Sequence, residues 1–166
     1  EEMISTHLTK EELARKLRES EENLKVYVED APDGIYLADL KGTFLYGNKQ
    51  AEEIAGYTKQ ELLGKSFLNL NLLPPKYLPK AIKLLTLNAA GKTTGPDTFE
   101  LVRKDGRKIW IEITTKPIEQ FGKTVIIGFV RDIAERKRAE EELKETMDAL
   151  HISEAKYKDL YANAPI

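Results

Sequence analysis

The chain has 166 residues, with 26 Lys and Arg against 28 Asp and Glu, so its net charge is −2. Basic and acidic side chains are interleaved, which argues against nucleic-acid binding, because phosphate backbones require clustered positive charge. The absence of cysteine excludes disulfides, thiolate metal sites and thiol nucleophiles. No apolar run approaches the roughly 18–20 residues of a membrane span, so we expect a soluble chain without direct membrane insertion.

Residues 8–29 predict a helix with one apolar seam. The seam residues are Leu13, Leu17, Leu24 and Tyr27, which with Ser20 between them follow alternating steps of four and three. This spacing is a heptad pattern about two repeats long. Two interpretations stay open, in which the helix either packs on its own domain or pairs with a second copy of the chain.

A hairpin and two very short helices follow. Residues 35–40 and 43–47 predict two strands. Asn48 suits a helix N-cap because its side-chain oxygen can accept a free backbone N–H, and Gly56 stands where a left-handed C-cap belongs. Thr58, with a glutamate three residues on, predicts a second capped turn. Such a segment buries little surface itself, so we expect it to arch over a space that the strands supply.

The second half predicts one longer helix and three strands. Pro74 and Pro75 can open the helix, and its apolar face is assigned to Tyr77, Leu78, Ala81, Ile82, Leu85 and Asn88. The strands are predicted at 98–103, 107–118 and 124–133, with an Asp-Gly hairpin signal between the first two. Alternation in the middle strand points Ile111 inward and Trp110 outward. We expect the N-terminal helix to cover Trp110.

From Ala134 onward the chain predicts a second long helix. Leu143, Leu150 and Tyr157 recur every seven residues, as in a heptad repeat, but small or polar residues at the seam positions between them predict a weak coiled coil. The motif Leu17-Arg18-Glu19-Ser20-Glu21 also recurs as Leu150-His151-Ile152-Ser153-Glu154, and Ala31-Pro32 recurs in the same register as Ala164-Pro165. We therefore expect a module from a tandem array in which helices join successive domains.

Three groups of residues occur together in an order that is similar to one known family. The first group is Asp39-Leu40-Lys41-Gly42, Asn48, Ala51, Ile54, Gly56-Tyr57 and Glu61-Leu62-Leu63-Gly64. The second is Arg103-Lys104-Asp105-Gly106, Trp110, Pro117-Ile118 and Gly128, and the third is Arg131-Asp132-Ile133-Ala134-Glu135-Arg136-Lys137. Together they resemble a PAS sensor domain over about residues 20–137, with Ala134 where the family's terminal motif usually has Thr.

The resemblance implies an α+β fold, namely a five-stranded antiparallel sheet with short helices on one face and long helices at both ends. It divides the chain into an N-terminal linker helix (1–29), a PAS domain (30–133), and a C-terminal signalling helix with the start of a second repeat (134–166). It also implies neighbouring PAS and output domains in the same cytoplasmic protein, such as a histidine kinase. The seams of the two long helices predict a homodimer. The alternative is a ligand-free dimerisation or spacer module in a tandem array.

Residue types limit the chemistry of the expected domain. The histidines, His7 and His151, both fall in the end helices, so the long helix near residues 75–90 lacks an axial haem ligand. A cysteine-linked flavin is excluded, whereas a non-covalently bound flavin or other small ligand stays open. We expect no metal site and no catalytic site, because no serine can pair with a histidine inside the domain and Glu52 and Glu53, adjacent on a helix, point different ways. Any output enzyme is expected outside this chain.

The resemblance places a ligand pocket between the sheet and the short helices. Its expected lining is Phe44, Tyr46, Asn48, Ile54, Leu63, Phe67, Tyr77, Ile82, Leu85, Phe99, Leu101, Ile111, Ile113, Ile126, Gly128 and Val130. A collapsed core filled by the same side chains is the alternative, although Gly128 favours a cavity because a strand glycine can mark the close approach of a ligand. With so few polar groups, the pocket suits a small apolar or aromatic acid, or a lipid fragment. Asp132 and Ile133 are expected to relay a shift of the last strand to the C-terminal helix.

Overall fold

A computed structural model describes residues 9–162 of the chain. The helices are α1 (Lys10–Glu29), α2 (Lys49–Ala55), α3 (Lys59–Leu62), α4 (Leu78–Ala89) and α5 (Ala134–Ala162). The strands are β1 (Gly34–Ala38), β2 (Phe44–Gly47), β3 (Thr94–Val102), β4 (Lys108–Gln120) and β5 (Lys123–Asp132). A 3-10 turn, Pro75–Tyr77, leads into α4. The α+β class and the long helices at both ends are confirmed, while Ala164-Pro165 of the expected second repeat lies outside the described residues.

The five strands form one antiparallel sheet in the order β2-β1-β5-β4-β3. The consecutive strands β1 and β2, β3 and β4, and β4 and β5 pair with each other, whereas β2 and β3 are the two edges of the sheet. Strands β1 and β5 pair in the interior of the sheet. The first residue of β1, Gly34, pairs with Val130 near the end of β5. The end of α1 and the start of α5 therefore lie beside each other.

Local chemistry fixes the short helices as the sequence predicts. The Asn48 side chain accepts a hydrogen bond from Ala51 N at 2.9 Å and caps α2. Gly56 ends α2 with φ at +75°, a conformation that glycine adopts without steric cost. Thr58 and Glu61 form the expected capping box on α3. The predicted stops and starts between residues 48 and 64 are confirmed.

Strand β3 is longer than the sequence predicts, because it begins at Thr94 instead of residue 98. Gly95 and Pro96 suggest a turn, but the structure takes them into the strand through a register shift between Thr94 and Asp97. A bulge is where a strand tolerates proline, which has no N–H for the ladder. Thr94 thereby pairs with Thr115 on the inner face of the sheet.

The core lies between the inner face of the sheet and helices α2, α3 and α4. Its buried apolar residues form two clusters, which are Ile54, Phe99, Leu101, Ile111 and Val130, and Ala55, Leu62 and Leu72. Ile111 is completely buried, as the alternation in β4 predicts. The outer face of the sheet is free of α2, α3 and α4.

The prediction that the N-terminal helix covers Trp110 is wrong. Residues Lys10 to Tyr27 of α1 are all exposed. Instead, the first turn of α5 lies on the outer side of β4, with Lys137 Nζ 5.9 Å from the centroid of the Trp110 ring. The reason is connectivity, since α5 continues directly from β5, the neighbour of β4, and Arg136 hydrogen-bonds Glu112 of β4 at 2.8 Å.

The two long helices expose their apolar seams. The seven seam residues, Leu13, Leu17, Leu24, Tyr27, Leu143, Leu150 and Tyr157, are all more than half exposed. Neither α1 nor α5 contains a buried residue. In the described part of the chain, no helix combines the length and the hydropathy that crossing a bilayer requires.

Candidate ligand cavity

A cavity lies at the centre of the domain, between the inner face of the sheet and helices α2 and α4. It offers about 140 Å³ to the centres of water-sized molecules. An engineered apolar cavity of about 150 Å³ in another protein stays dry and binds benzene. The cavity of this chain therefore has room for one small molecule.

Most of the predicted lining residues surround this cavity. They are Phe44, Tyr46, Ile54, Phe67, Leu85, Phe99, Leu101, Ile111, Ile113, Ile126 and Val130. These side chains come from strands β2 to β5, from α2 and α4, and from the segment after α3. The wall they form is apolar, and no charged residue of the described chain lines it.

Two predicted lining residues, Leu63 and Ile82, are instead 38% and 51% exposed. Helix α3 is a single turn that buries Leu62, so the next residue points to solvent. Helix α4 presents Ala81, Leu84, Leu85 and Asn88 to the cavity, so Leu84 lies where the prediction placed Ile82. The positions of Leu63 and Ile82 in the predicted lining are therefore corrected.

Gly128 and Tyr77 also lie outside the cavity lining, each for a packing reason. A Cβ atom on Gly128 would come within 2.2 Å of Tyr36 Cζ. The missing side chain thus admits the ring of a neighbouring tyrosine, and the inference that Gly128 marks a ligand is corrected. Tyr77 packs edge-on against Phe99, with ring centroids 5.6 Å apart.

Asn48 does not line the cavity, because every hydrogen-bonding group of its side chain is used within the protein. Its Oδ1 accepts from Ile35 N at 2.8 Å and from Ala51 N at 2.9 Å. Its Nδ2 donates to Val28 O at 2.8 Å and to Asp33 O at 3.1 Å. Asn48 is 0% exposed and joins α1, β1 and α2, which makes it a structural residue.

Tyr46 connects the cavity to the N-terminal helix. Its ring lines the cavity, and its hydroxyl donates to Glu29 Oε1, in the last turn of α1, at 2.7 Å. Lys59 Nζ lies 3.2 Å from the same oxygen and 4.4 Å from the centroid of the Tyr46 ring. The Tyr46 hydroxyl, with Lys59 nearby, lowers the pKa of Glu29. Burial, reinforced by Glu29, raises the pKa of Tyr46 to about 12.

One end of the cavity carries a polar cluster that sequence reasoning missed. Thr94 Oγ1 and Thr115 Oγ1 lie 2.6 Å apart, and Thr115 Oγ1 donates to Asn88 Oδ1 at 2.8 Å. Asn88 Nδ2 donates to Lys92 O at 2.8 Å. Extending the β4 alternation from Ile111 and Ile113 by one step places Thr115 on the inner face. That signal was present in the sequence.

The predicted relay residues sit where β5 becomes α5. Ile133 is buried, and its N–H donates to Trp110 O at 2.9 Å. Asp132 is exposed, and its Oδ1 accepts from Ala134 N at 2.8 Å, at the first residue of α5. Just before them, Arg131 donates two hydrogen bonds to Asp33, at 2.7 and 3.0 Å, which tie the end of β5 to the segment after α1.

Comparison with known proteins decides the family. A sequence profile described as the PAS fold matches residues 22–133. The chain belongs to the PAS family. Among solved structures, the PAS domain of an HTR-like protein from Haloarcula marismortui matches with a TM-score of 0.64 and 21% identity, over 75% of this chain and 100% of that one.

Curated relatives of this PAS domain are signalling proteins. Two-component system protein A of Emericella nidulans is 31% identical over 123 residues, 72% of this chain and 18% of that protein. Sensor protein TdiS of Thauera aromatica is 32% identical over 114 residues, 66% of this chain and 20% of that protein. Sporulation kinase C of Bacillus subtilis is 28% identical over 152 residues, 85% of this chain and 34% of that protein.

The PAS domain is thus a sensory, non-catalytic fold found in signal-transduction proteins. Its relatives include kinases whose enzymatic parts would lie outside the PAS region. Within residues 9–162 no group of three His, Cys, Asp or Glu side chains is placed to hold a metal ion.

Proposed function

We propose that this chain is a ligand-sensing relay module that reports occupancy of its cavity to an output domain elsewhere in the protein, such as a histidine kinase. The observation that carries the proposal is that the cavity lining is connected to both long helices. One lining residue hydrogen-bonds α1, and others belong to the strand that continues into α5. Tyr46 hydrogen-bonds the last residue of α1, and Ile126 and Val130 belong to β5, which runs into α5. We place the module in the cytoplasm.

The size and lining of the cavity support a small ligand. Its volume of about 140 Å³ is below the roughly 300–1,000 Å³ typical of pockets for drug-sized molecules. A haem or a flavin would have to displace side chains that already fill this space. A molecule near the size of benzene fits without such rearrangement.

The relay acts through differential affinity. A ligand shifts the balance between two helix arrangements only as far as it binds one of them better. Helix shifts of about 1–2 Å are common in such transitions. The exposed seams of α1 and α5 are proposed to meet those of a second copy of the chain, and this homodimer would pass the shift onward.

A second candidate function is a ligand-free dimerisation or spacer module. The exposed heptad seams favour it, because they require no occupant of the cavity. In that case the cavity is a packing defect, and the helices serve only to set the spacing between neighbouring domains.

Isoleucine methyl resonances distinguish the two functions in a titration of the purified chain with toluene. On the sensor proposal, Ile111 and Ile113 in the cavity shift, and Ile133 at the start of α5 shifts at the same toluene concentrations. Ile118 on β4, outside the cavity lining, is the internal control. Unmoved Ile111 and Ile113 resonances would favour the spacer function, and an unmoved Ile133 beside shifted cavity residues would contradict the relay.

A matched pair of variants keeps that result specific. Ala81→Leu adds three carbon atoms to a helical residue that lines the cavity and should abolish the toluene shifts. Ala139→Leu makes the same change on exposed α5 and should leave them intact.

A further inference from the structure

The inner face of the sheet carries one transverse row of polar side chains across the cavity. Register pairs Tyr36 of β1 with Gly128 of β5, Gly128 with Thr115 of β4, and Thr115 with Thr94 of β3. Directly paired residues project to the same face of a sheet. We call Tyr36, Thr115 and Thr94, with Asn88 of α4 hydrogen-bonded to Thr115, the polar row.

Gly128 lets the Tyr36 hydroxyl reach across β5 toward this row. The Tyr36 ring lies over Gly128, and a Cβ there would be 2.6 Å from the Tyr36 hydroxyl oxygen. The cross-strand neighbour of Gly128 on β4 is Thr115. The Tyr36 side chain thus extends from β1 across Gly128 of β5, in the direction of Thr115 on β4. Tyr36 and Thr115 both line the cavity.

The hydrogen atoms of Asn88, Thr115 and Thr94 can be assigned without ambiguity. The carbonyl of Lys92 can only accept, so the nitrogen of Asn88 faces it and the amide oxygen faces Thr115. The Thr115 hydroxyl donates its single hydrogen to Asn88. In the 2.6 Å hydrogen bond between the two threonine hydroxyls, Thr94 is therefore the donor. Each donor hydrogen of the two threonines is therefore committed, and acceptor capacity remains on Thr94.

The Tyr36 hydroxyl has no hydrogen-bond partner among residues 9–162, and the side chain is partly buried and lines the cavity. Burial raises the pKa of Tyr36 to about 12, so the group is a neutral O–H at physiological pH. A hydroxyl that lines the cavity without a protein partner is available to donate to an oxygen atom of a ligand. The polar row thus offers a free O–H donor on Tyr36 and acceptor capacity on Thr94.

We propose that the cavity takes a small, uncharged, largely apolar molecule with one hydroxyl or carbonyl oxygen, held at the polar row by the Tyr36 hydroxyl. The inference rests on the proposed sensor function and names its ligand class. The apolar wall accepts the body of the molecule. No cation of the described chain lines the cavity to hold a carboxylate, so the aromatic acid that the sequence suggests is replaced by its neutral counterpart.

The test compares phenol, toluene and benzoate, which share one ring and differ in a single group. Binding to the 166-residue chain is followed by the Ile111 and Ile113 methyl resonances. Tyr36→Phe removes the hydroxyl and keeps the ring over Gly128. We expect it to weaken phenol binding by about tenfold, the effect of losing roughly one hydrogen bond, and to leave toluene binding unchanged. Benzoate should bind at least about tenfold more weakly than phenol, because its charge would be buried without a partner.

A second tyrosine supplies the matched control. The Tyr57 hydroxyl donates to Leu70 O at 3.3 Å, and Tyr57 does not line the cavity, so Tyr57→Phe should leave the phenol-to-toluene affinity ratio unchanged. Equal weakening of phenol and toluene by Tyr36→Phe would overturn the role of the polar row while leaving the sensor function standing. Tighter binding of benzoate than of phenol would overturn the neutral ligand class. Binding of none of the three probes would overturn both proposals.

Discussion

At the scale of single residues, Asn48 shows how one side chain can hold several elements together. Its amide bridges the backbone of α1, the segment before β1, β1 itself and α2 through four hydrogen bonds. Because the residue is fully buried, water does not replace a bond that is lost. The N-terminal helix is thereby fixed to the domain at its last turn only.

Asn48→Ala should destabilise the chain by about 2–4 kcal/mol, since it removes a helix cap and leaves buried backbone groups unpaired. Urea unfolding followed by circular dichroism measures this change. Asn69→Ala, at an exposed turn residue, is the control and should stay within about 0.5 kcal/mol of the wild type. A loss at Asn48 no larger than at Asn69 would show that the buried network contributes nothing net.

Glu29 gives the N-terminal helix a pH-dependent attachment. Its folded-state pKa is lowered, first by the Tyr46 hydroxyl and then by Lys59. A depressed folded pKa contributes stability above the unfolded pKa, about 4.3 for glutamate, and loses it as the pH falls through the folded value.

The stability difference between the wild type and Glu29→Gln should therefore be constant above pH about 5.5 and should shrink as the pH falls below about 4.3. Urea unfolding midpoints across this range measure it. Glu22→Gln, exposed on the same helix, should parallel the wild type throughout. A difference that grows toward low pH would reverse the sign and contradict the attachment.

At the scale of elements, α5 is a 29-residue helix without a buried residue. Only its first turns contact the sheet, through Arg136 and Lys137. Helical stability in proteins comes mainly from packing of an apolar face. The exposed seam of α5, at Leu143, Leu150 and Tyr157, therefore needs a partner, and the proposed partner is the seam of a second copy.

Leu150→Glu should shift the chain from dimer to monomer, because it places a charge in the seam. Ile152→Glu introduces the same charge at a residue that is equally exposed but lies off the seam, at 59% against 58% exposure. The second variant should remain dimeric in sedimentation velocity at micromolar concentration. Monomeric wild type, or equal effects of both variants, would contradict dimerisation through this seam.

The elements also show where sequence reasoning succeeds. The helix caps at Asn48, Gly56 and Thr58 depend on residues within three or four positions, so local chemistry was sufficient to predict them. Whether Leu84 or Ile82 of α4 faces the cavity depends on how the helix meets the sheet, and the structure exposes Ile82. The contact of Tyr36 with Gly128 depends on the pairing of β1 with β5, which are far apart in sequence. Long-range register of this kind leaves no local signal.

At the scale of the whole molecule, both long helices attach at one end of the central strand pair. Gly34, just after α1, pairs with Val130, just before α5, and Asp33 is joined to Arg131 by two hydrogen bonds. Val130 also lines the cavity. A displacement of β5 by a ligand would therefore reach α5 through the chain and α1 through the Asp33–Arg131 ion pair.

The most direct test of this account measures the position of α5 with the cavity empty and filled. Because the chain has no cysteine, Lys116→Cys on β4 and Lys144→Cys on α5 provide two unique spin-label sites. Labelled chain is diluted with unlabelled chain, so that the distance is intramolecular. Saturating phenol should move the distance by at least about 1–2 Å, and Ala81→Leu should abolish the change. An unchanged distance, with the Ile111 and Ile113 resonances showing a filled cavity, would contradict the relay from cavity to helix.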